Sequence, residues 1–178
     1  MQEVKNQVIQ LAHLHQLNLR REEEGLSSVP VGLHLVFTGN PGTGKTTVAR
    51  LVADLYRTLG LLPRGHLVEV QRADLVGGYV GQTALKVQQT VKSAMGGILF
   101  IDEAYSLASR DDFGSEAVST LVKMMEDHRD KLSVIVAGYK QEMEYFISSN
   151  TGLRSRFQRY ISFRDYEPFE LTDIFALE

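Results

Sequence analysis

The stretch LHLVFTGNPGTGKTT, at residues 33–47, decides the fold of this chain. Its first six residues, 33–38, are mostly apolar and predict a buried strand. Residues 39–46 match the pattern G-x-x-x-x-G-K-[ST] at every position, and a helical pattern follows over residues 45–59. A strand, a Gly-rich turn and a helix in this order predict a loop that binds phosphate groups.

The residue types in this loop have separate roles in holding a nucleotide. Glycine residues let backbone N–H groups turn toward phosphate oxygens. We expect Lys45 to contact the β- and γ-phosphates of ATP and the hydroxyl of Thr46 to bind Mg²⁺. The predicted nucleotide-binding residues are Gly39, Asn40, Pro41, Gly42, Thr43, Gly44, Lys45, Thr46 and Thr47.

Strand and helix patterns alternate along the rest of the chain, after a first helix predicted over residues 2–19. Further strands are predicted at residues 66–70, 97–101, 132–137 and 160–163, and helices at residues 83–94, 115–127 and 141–147. Short apolar strands that alternate with helices indicate a parallel sheet covered on both faces.

Two carboxylates follow the strand predicted at residues 97–101. An Asp-Glu pair after a strand is more often a turn or a helix cap, but in a phosphate-loop domain this strand ends beside the loop. We expect Asp102 to hold Mg²⁺, through water, and Glu103 to orient and deprotonate the water that attacks ATP.

Composition excludes several other classes of protein. The formal net charge of −3 lacks the basic excess of a nucleic-acid-binding protein, so we expect no nucleic-acid partner. The chain has no cysteine, which excludes disulfides and cysteine zinc sites. No apolar run approaches the roughly 20 residues that span a bilayer, and the N-terminus lacks the apolar core of a signal peptide. We therefore expect a cytoplasmic protein without a membrane segment.

The motifs together resemble the AAA+ family of ATPases. Within it, they resemble the branch that contains red-type Rubisco activases, stage V sporulation protein K and the AAA+ ATPases of type VII secretion. The resemblance covers nearly the whole chain and is carried by residues 33–47 together with DLVGGYVGQT at 74–83, AMGGILFIDEAYSL at 94–107, VIVAGY at 134–139 and GLRSRF at 152–157. It implies a three-layer α/β sandwich with a five-stranded parallel sheet in the order 5-1-4-3-2, and a hexameric ring with ATP between subunits.

The resemblance also implies roles for residues outside the phosphate loop. Tyr79 and Val80 match an aromatic pore loop that grips a client polypeptide in the channel of the ring. Arg156, with Arg154 as the second choice, matches the arginine finger that reaches the γ-phosphate of a neighbouring subunit. The family often has an Asn or Thr sensor at the end of the fourth strand, whereas this chain has Ala137-Gly138-Tyr139.

The same resemblance divides the chain into three parts. Residues 1–30 correspond to an N-terminal helix and linker, residues 31–165 to the nucleotide-binding α/β subdomain, and residues 166–178 to the start of a helical lid. We expect the chain to be a piece of a longer protein, and we expect this piece to lack most of the lid. By itself, such a piece should be mainly monomeric and should hydrolyse ATP very slowly.

The leading hypothesis from sequence is an ATP-driven motor that remodels a client protein. A nucleotide kinase or GTPase-like switch is a second interpretation, although no N-K-x-D guanine signature is present. A regulatory module that holds ATP without turnover is a third.

Overall fold

The computed structural model describes residues 2–27, 32–79, 81–108 and 111–167. The helices are α1 Gln2–Glu23, α2 Lys45–Thr58, α3 Arg72–Leu75, α4 Gln82–Ser93, α5 Asp112–Asp127, α6 Lys140–Ser148 and α7 Thr151–Arg156, with a 3₁₀ helix at Ala104–Ala108. The strands are β1 Leu35–Thr38, β2 Leu67–Val70, β3 Ile98–Ile101, β4 Ser133–Gly138 and β5 Arg159–Ser162.

The five strands form one parallel sheet in the order β2-β3-β4-β1-β5. This is the predicted order, read from the opposite edge, so the predicted fold class is confirmed. Because the strands are parallel, their carboxyl ends meet at one edge of the sheet, and ligands bind at that edge in open α/β sheets. The loops that follow β1, β3 and β4 lie there together.

Both faces of the sheet are covered by helices, as its apolar strands require. Alternate residues of β1 belong to different cores: Val36 packs with α4, α5 and α6, whereas Leu35 and Phe37 pack with α2. The same alternation runs through β3 and β4, whose residues are all buried. Three layers result, with the sheet in the middle.

The long elements begin and end close to their predicted positions, whereas three short elements were not predicted. Each strand lies within two residues of its predicted bounds. Helix α5 begins three residues earlier than predicted, because the carboxylate of Asp111 caps it by accepting a hydrogen bond from the Gly114 amide at 2.7 Å. The unpredicted elements are α3, the 3₁₀ helix and α7.

No helix in the described ranges is long and apolar enough to cross a bilayer. Most of the predicted lid start lies outside the described residues, which stop at residue 167.

Candidate nucleotide-binding site

The Gly-rich loop lies between the end of β1 and the first residue of α2, as the sequence predicted. Gly44 occupies the N-cap of α2 with φ of 84°, a left-handed conformation that favours glycine. No side chain accepts a hydrogen bond from the first turn of α2 at this cap, and that turn contains no acidic residue. The N–H groups and the positive dipole end of α2 therefore suit an anion such as a phosphate group.

Lys45 lies inside the curve of the loop rather than in open solvent. Its Nζ donates hydrogen bonds to the backbone oxygens of Gly39 at 2.9 Å and Asn40 at 2.7 Å. Burial lowers the pKa of Lys45, and the negative charge of Asp102 partly offsets this effect. The Lys45 ammonium group thus contacts the loop backbone and lies close enough to Asp102 to interact with its charge.

The two carboxylates lie at the same edge of the sheet as the loop. Lys45, Thr46, Thr47, Asp102 and Glu103 line one cavity of about 370 Å³. Its other lining residues are Gly39, Pro41, Gly42, Gly44, Tyr105, Gly138 and Tyr139. The structure therefore brings the loop and the acidic pair together in a single cavity, as the sequence predicted. Among the predicted nucleotide-binding residues, Asn40 and Thr43 do not line it.

Glu103 has an unusual backbone conformation for its residue type. Its φ of 48° makes it the one non-glycine residue with positive φ in the described part of the chain. Such a conformation costs on the order of 1 kcal/mol and persists only where neighbouring contacts hold it. The Glu103 amide donates to Oδ1 of Asp102 at 3.0 Å, and the Glu103 carbonyl accepts from the Ser106 amide at 2.9 Å.

Tyr105 is a site residue that the sequence analysis did not identify. Burial raises the pKa of Tyr105, and Glu103 raises it further through its charge and by accepting a side-chain hydrogen bond. The rings of Tyr105 and Tyr139 pack with their centroids 6.1 Å apart. A Cβ at Gly138 would lie 2.7 Å from the Tyr105 ring, so glycine at the end of β4 makes room for this tyrosine. The position of Tyr105 two residues after Glu103 was the only signal in the sequence.

A segment after β5 lies across the loop and forms the strap, which we define as residues 163–166. The Phe163 amide donates to the Thr38 carbonyl at 2.7 Å. The Asn40 amide group donates to both Asp165 oxygens at 2.9 Å, and the Tyr166 hydroxyl donates to the Thr43 carbonyl at 3.3 Å. The sequence predicted the start of a helical lid from residue 166 but not the contacts of this segment with the loop.

The site has the chemistry that MgATP requires. Magnesium is usually bound by one or two protein oxygens, with water and substrate phosphates completing its shell. Thr46 and Asp102, on the same cavity wall, provide such a hydroxyl and such a carboxylate. Bound Mg²⁺ would neutralise part of the phosphate charge, while Lys45 and the α2 N-terminus would bind the phosphate oxygens.

The two candidate finger arginines lie on α7, and neither lines this cavity. Arg156 is held within its own chain: Nη2 lies 2.9 Å from Oε2 of Glu126, and Nη1 donates to the Gly152 carbonyl at 3.1 Å. Arg154 is exposed. The geometry therefore leaves Arg154 better placed than Arg156 to reach another molecule.

The described part of the predicted pore loop lies between α3 and α4. Tyr79 has 75% of its surface exposed. The base of the loop is fixed, because the Gly77 amide donates to Oγ1 of the buried Thr83 at 3.0 Å. Val80 lies outside the described residues.

Comparison with known proteins agrees with this geometry. The profile of the ATPase family associated with various cellular activities (AAA) matches residues 35–165. The AAA domain of FIGL-1, solved in complex with ADP, superposes with a TM-score of 0.64 at 22% identity, covering 90% of this chain and 53% of that one. At this identity the superposition supports the fold alone.

Curated relatives are much more similar in sequence. Stage V sporulation protein K of Bacillus subtilis (strain 168) is 49% identical over 98% of this chain and 55% of its own. The chloroplastic ribulose bisphosphate carboxylase/oxygenase activase of Cyanidioschyzon merolae (strain NIES-3377 / 10D) is 51% identical over 96% and 59%. The ESX-3 secretion system protein EccA3 of Mycolicibacterium smegmatis (strain ATCC 700084 / mc(2)155) is 48% identical over 98% and 29%.

The chain thus spans less than two thirds of the length of each of these relatives. Its phosphate loop, its acidic pair, its sheet order and the profile match all lead to the same assignment. The chain belongs to the AAA family of ATPases, in the branch that includes stage V sporulation protein K, the red-type Rubisco activases and the type VII secretion ATPases.

Proposed function

We propose that this chain binds MgATP and hydrolyses it as part of a ring of subunits that remodels a client protein. The observation that carries the proposal is the single cavity shared by Lys45, Thr46, Asp102 and Glu103. An ammonium group, a hydroxyl and two carboxylates in one cavity at the end of a parallel sheet are the parts that phosphoryl transfer to water requires.

In this proposal, Glu103 is the general base. Its side chain is exposed on the cavity wall, and its strained backbone conformation sets the direction in which the side chain points. It orients a water molecule and accepts its proton as the γ-phosphoryl group is attacked. Lys45 would bind phosphate oxygens, and Thr46 and Asp102 would hold Mg²⁺, whose charge would stabilise ADP as the leaving group.

The proposal of a ring and of a protein client is supported by two exposed residues and by the family to which the chain belongs. Arg154 on α7 does not line the cavity of its own chain, as expected for a residue that acts on a neighbouring subunit. Tyr79 lies exposed at a loop tip, where an aromatic side chain can contact a polypeptide. The similarity to an activase and to a secretion protein supports a protein client.

The decisive experiment is Glu103→Gln in the assembled protein. Glutamine keeps the shape of glutamate but cannot accept the proton, so we expect kcat for ATP to fall at least about 100-fold while MgATP binding is retained. Steady-state phosphate release and titration with a fluorescent ATP analogue give the two quantities.

The matched control is Glu22→Gln, which removes an exposed carboxylate on α1 that does not line the cavity. It should leave kcat unchanged. Near-normal turnover in Glu103→Gln would reassign the base. Nucleotide binding without hydrolysis in the unmutated assembly would favour a regulatory module, and faster hydrolysis of GTP than ATP would favour a switch.

Lys45→Ala should act on binding instead. The ammonium group contacts phosphate in the ground state as well as in the transition state, so its loss should weaken ATP binding at least about tenfold. Calorimetric titration with ATP measures the change. Lys92→Ala, which removes an exposed lysine from the last turn of α4, should have no effect. Equal affinities in the two variants would contradict the role of Lys45.

A further inference from the structure

Arg72, the first residue of α3, joins two segments that are distant in sequence. Its Nη1 donates to the Ser106 carbonyl at 2.7 Å, and its Nη2 lies 2.7 Å from Oδ2 of Asp111. The side chain is 28% exposed. Two short bonds from one planar guanidinium, one of them to a carboxylate, fix the relative positions of the groups that accept them.

The Ser106 contact leads directly to Glu103. The Ser106 amide donates to the Glu103 carbonyl at 2.9 Å, while its carbonyl accepts from Arg72. Glu103 needs such support, because its φ of 48° is strained for a residue with a side chain. Arg72 therefore fixes the turn that holds Glu103 at its positive φ.

Arg72 also belongs to the base of the loop that carries Tyr79. The Val76 amide donates to the Arg72 carbonyl at 2.9 Å, and the Val76 carbonyl accepts from Lys86 Nζ at 2.9 Å. Because the Gly77 amide is hydrogen-bonded to Thr83, the loop is anchored up to Gly77. The base of the Tyr79 loop and α3 therefore share one set of hydrogen bonds.

One further cavity shows how close the two segments are. It has a volume of about 540 Å³, and its wall includes Gly77 and Gly78 of the loop together with Asp102, Glu103 and Ser106. Arg72 lines the same wall. The loop and the acidic pair thus face each other across one space, and Arg72 bridges them.

We propose that Arg72 is a positioning residue that links the Tyr79 loop to the turn at Glu103, so that a polypeptide pulling on the loop changes the rate of ATP hydrolysis. The effect on ATP hydrolysis rests on the proposed function. The link between the Tyr79 loop and the turn at Glu103 does not, because it is a property of the folded chain. Coupling of this kind is reciprocal: a change at either segment alters the other.

The first test is hydrogen exchange of the folded chain with Arg72→Gln. Loss of the guanidinium should make the amides of Ser106 and Gly114 exchange at least about tenfold faster, because each lies next to an acceptor that Arg72 fixes. Arg50→Gln is the matched control, since it breaks the Arg50–Glu69 ion pair without touching either segment. Exchange at Ser106 that is unchanged in Arg72→Gln overturns the inference.

The second test addresses the link to the loop. Thr83→Val removes the hydroxyl that anchors Gly77, and Thr83→Ser keeps it. Thr83→Val should speed exchange at Ser106 when Arg72 is present and add nothing when Arg72 is replaced, whereas Thr83→Ser should have no effect. Equal effects of Thr83→Val in both backgrounds would show that Arg72 transmits nothing from the loop.

Steady-state kinetics in the assembled protein separate this inference from the proposed function. Arg72→Gln should lower kcat at least about fivefold with KM for ATP within about twofold, and should lower it no further when Glu103→Gln is also present. If the unmutated assembly does not hydrolyse ATP, the proposed function fails while the exchange results still decide the link. A fall in nucleotide affinity equal to the fall in kcat would contradict positioning of Glu103.

Discussion

His34 shows how one buried residue makes the whole fold sensitive to pH. Its Nδ1 accepts a hydrogen bond from the Val134 amide at 3.0 Å, which requires an unprotonated nitrogen, and its ring packs against Phe157. Burial lowers the pKa of His34 to about 4, and the charge of Arg156 contributes to the shift. His34 therefore stays neutral in the native state at pH values where an unfolded chain would protonate it.

The sign of the effect follows from proton counting. Between pH 6.5 and pH 4 the unfolded chain binds a proton at His34 that the native state does not, so the free energy of unfolding falls as pH falls through this window. The loss at pH 5 should be about 2 kcal/mol relative to pH 7. In His34→Asn, whose side-chain oxygen can still accept from Val134, this part of the pH dependence should disappear.

Urea denaturation at pH 7 and pH 5 measures the difference between the two proteins. His13→Asn, at an exposed position on α1, provides the control and should keep the pH dependence of the parent chain. A His34→Asn protein that loses as much stability at pH 5 as the parent would mean that other groups are responsible.

At the scale of elements, we expect the two arginines of α7 to have different roles: Arg156 stabilises the helix, whereas Arg154 is available to act on ATP. Asn150 caps the helix by accepting from the amides of Gly152 and Leu153 at 2.8 Å and 3.2 Å, and Arg156 ties its last turn to Glu126 on α5. Arg156→Ala should therefore cost about 1 kcal/mol of stability, and Glu126→Gln should reproduce most of that loss. Arg154→Ala should leave stability unchanged and lower ATP turnover in the ring.

Denaturation midpoints and steady-state ATPase rates of the three variants test this division. The expectation from sequence favoured Arg156 as the finger, so the comparison also decides between the two arginines. If Arg156→Ala keeps full stability but loses most of its ATP turnover, Arg156 is the arginine finger, as the sequence predicted. Arg154 would then have no role in hydrolysis.

Element length explains which parts of the fold could be predicted. Helices such as α2 and α4 repeat their apolar spacing over three turns, and β3 and β4 are continuously apolar, so periodicity located them. Helix α3 has four residues and α7 has six, too few for a repeat to be visible. Contacts with residues far along the chain stabilise them, such as Arg72 with Asp111 and Arg156 with Glu126.

The candidate site divides in the same way. The phosphate loop and the acidic pair were predictable because each is contiguous in sequence and carries residue types that its chemistry demands. Tyr105 and Arg72 were not, because their roles depend on contacts with Glu103 and Ser106 that only the folded chain creates. Their residue types alone fit many surface positions.

At the scale of the whole molecule, the separation between α7 and the cavity predicts complementation between subunits. Neither Arg154 nor Arg156 lines the cavity of its own chain, so under the proposed function a complete site would combine the cavity of one subunit with an arginine of another. A mixture of Arg154→Ala and Lys45→Ala proteins should form some interfaces in which every part is intact. Its ATPase rate should exceed the mean of the two separate proteins.

The rate is measured as phosphate release over a range of mixing ratios, with the assembly state followed by sedimentation. A mixture of Lys45→Ala with Glu103→Gln is the control, because both changes lie in the same cavity and no interface is restored. Mixing curves that coincide for the two pairs would mean that Arg154 does not act across an interface.

The strap over the phosphate loop has a mechanical consequence. Asn40 and Thr43, two residues of the loop, also bind Asp165 and Tyr166, so the loop and the chain leaving the sheet share hydrogen-bonding groups. Because Tyr166 is bonded to Thr43, we expect a tensile load applied to its backbone to act on the loop as well as on β5. If tension lifts the strap, we expect phosphate to bind the loop more weakly. Because binding equilibria are reciprocal, bound phosphate should in turn make the strap harder to lift. Under the proposed function, we expect tension on the strap to speed the release of phosphate from the loop.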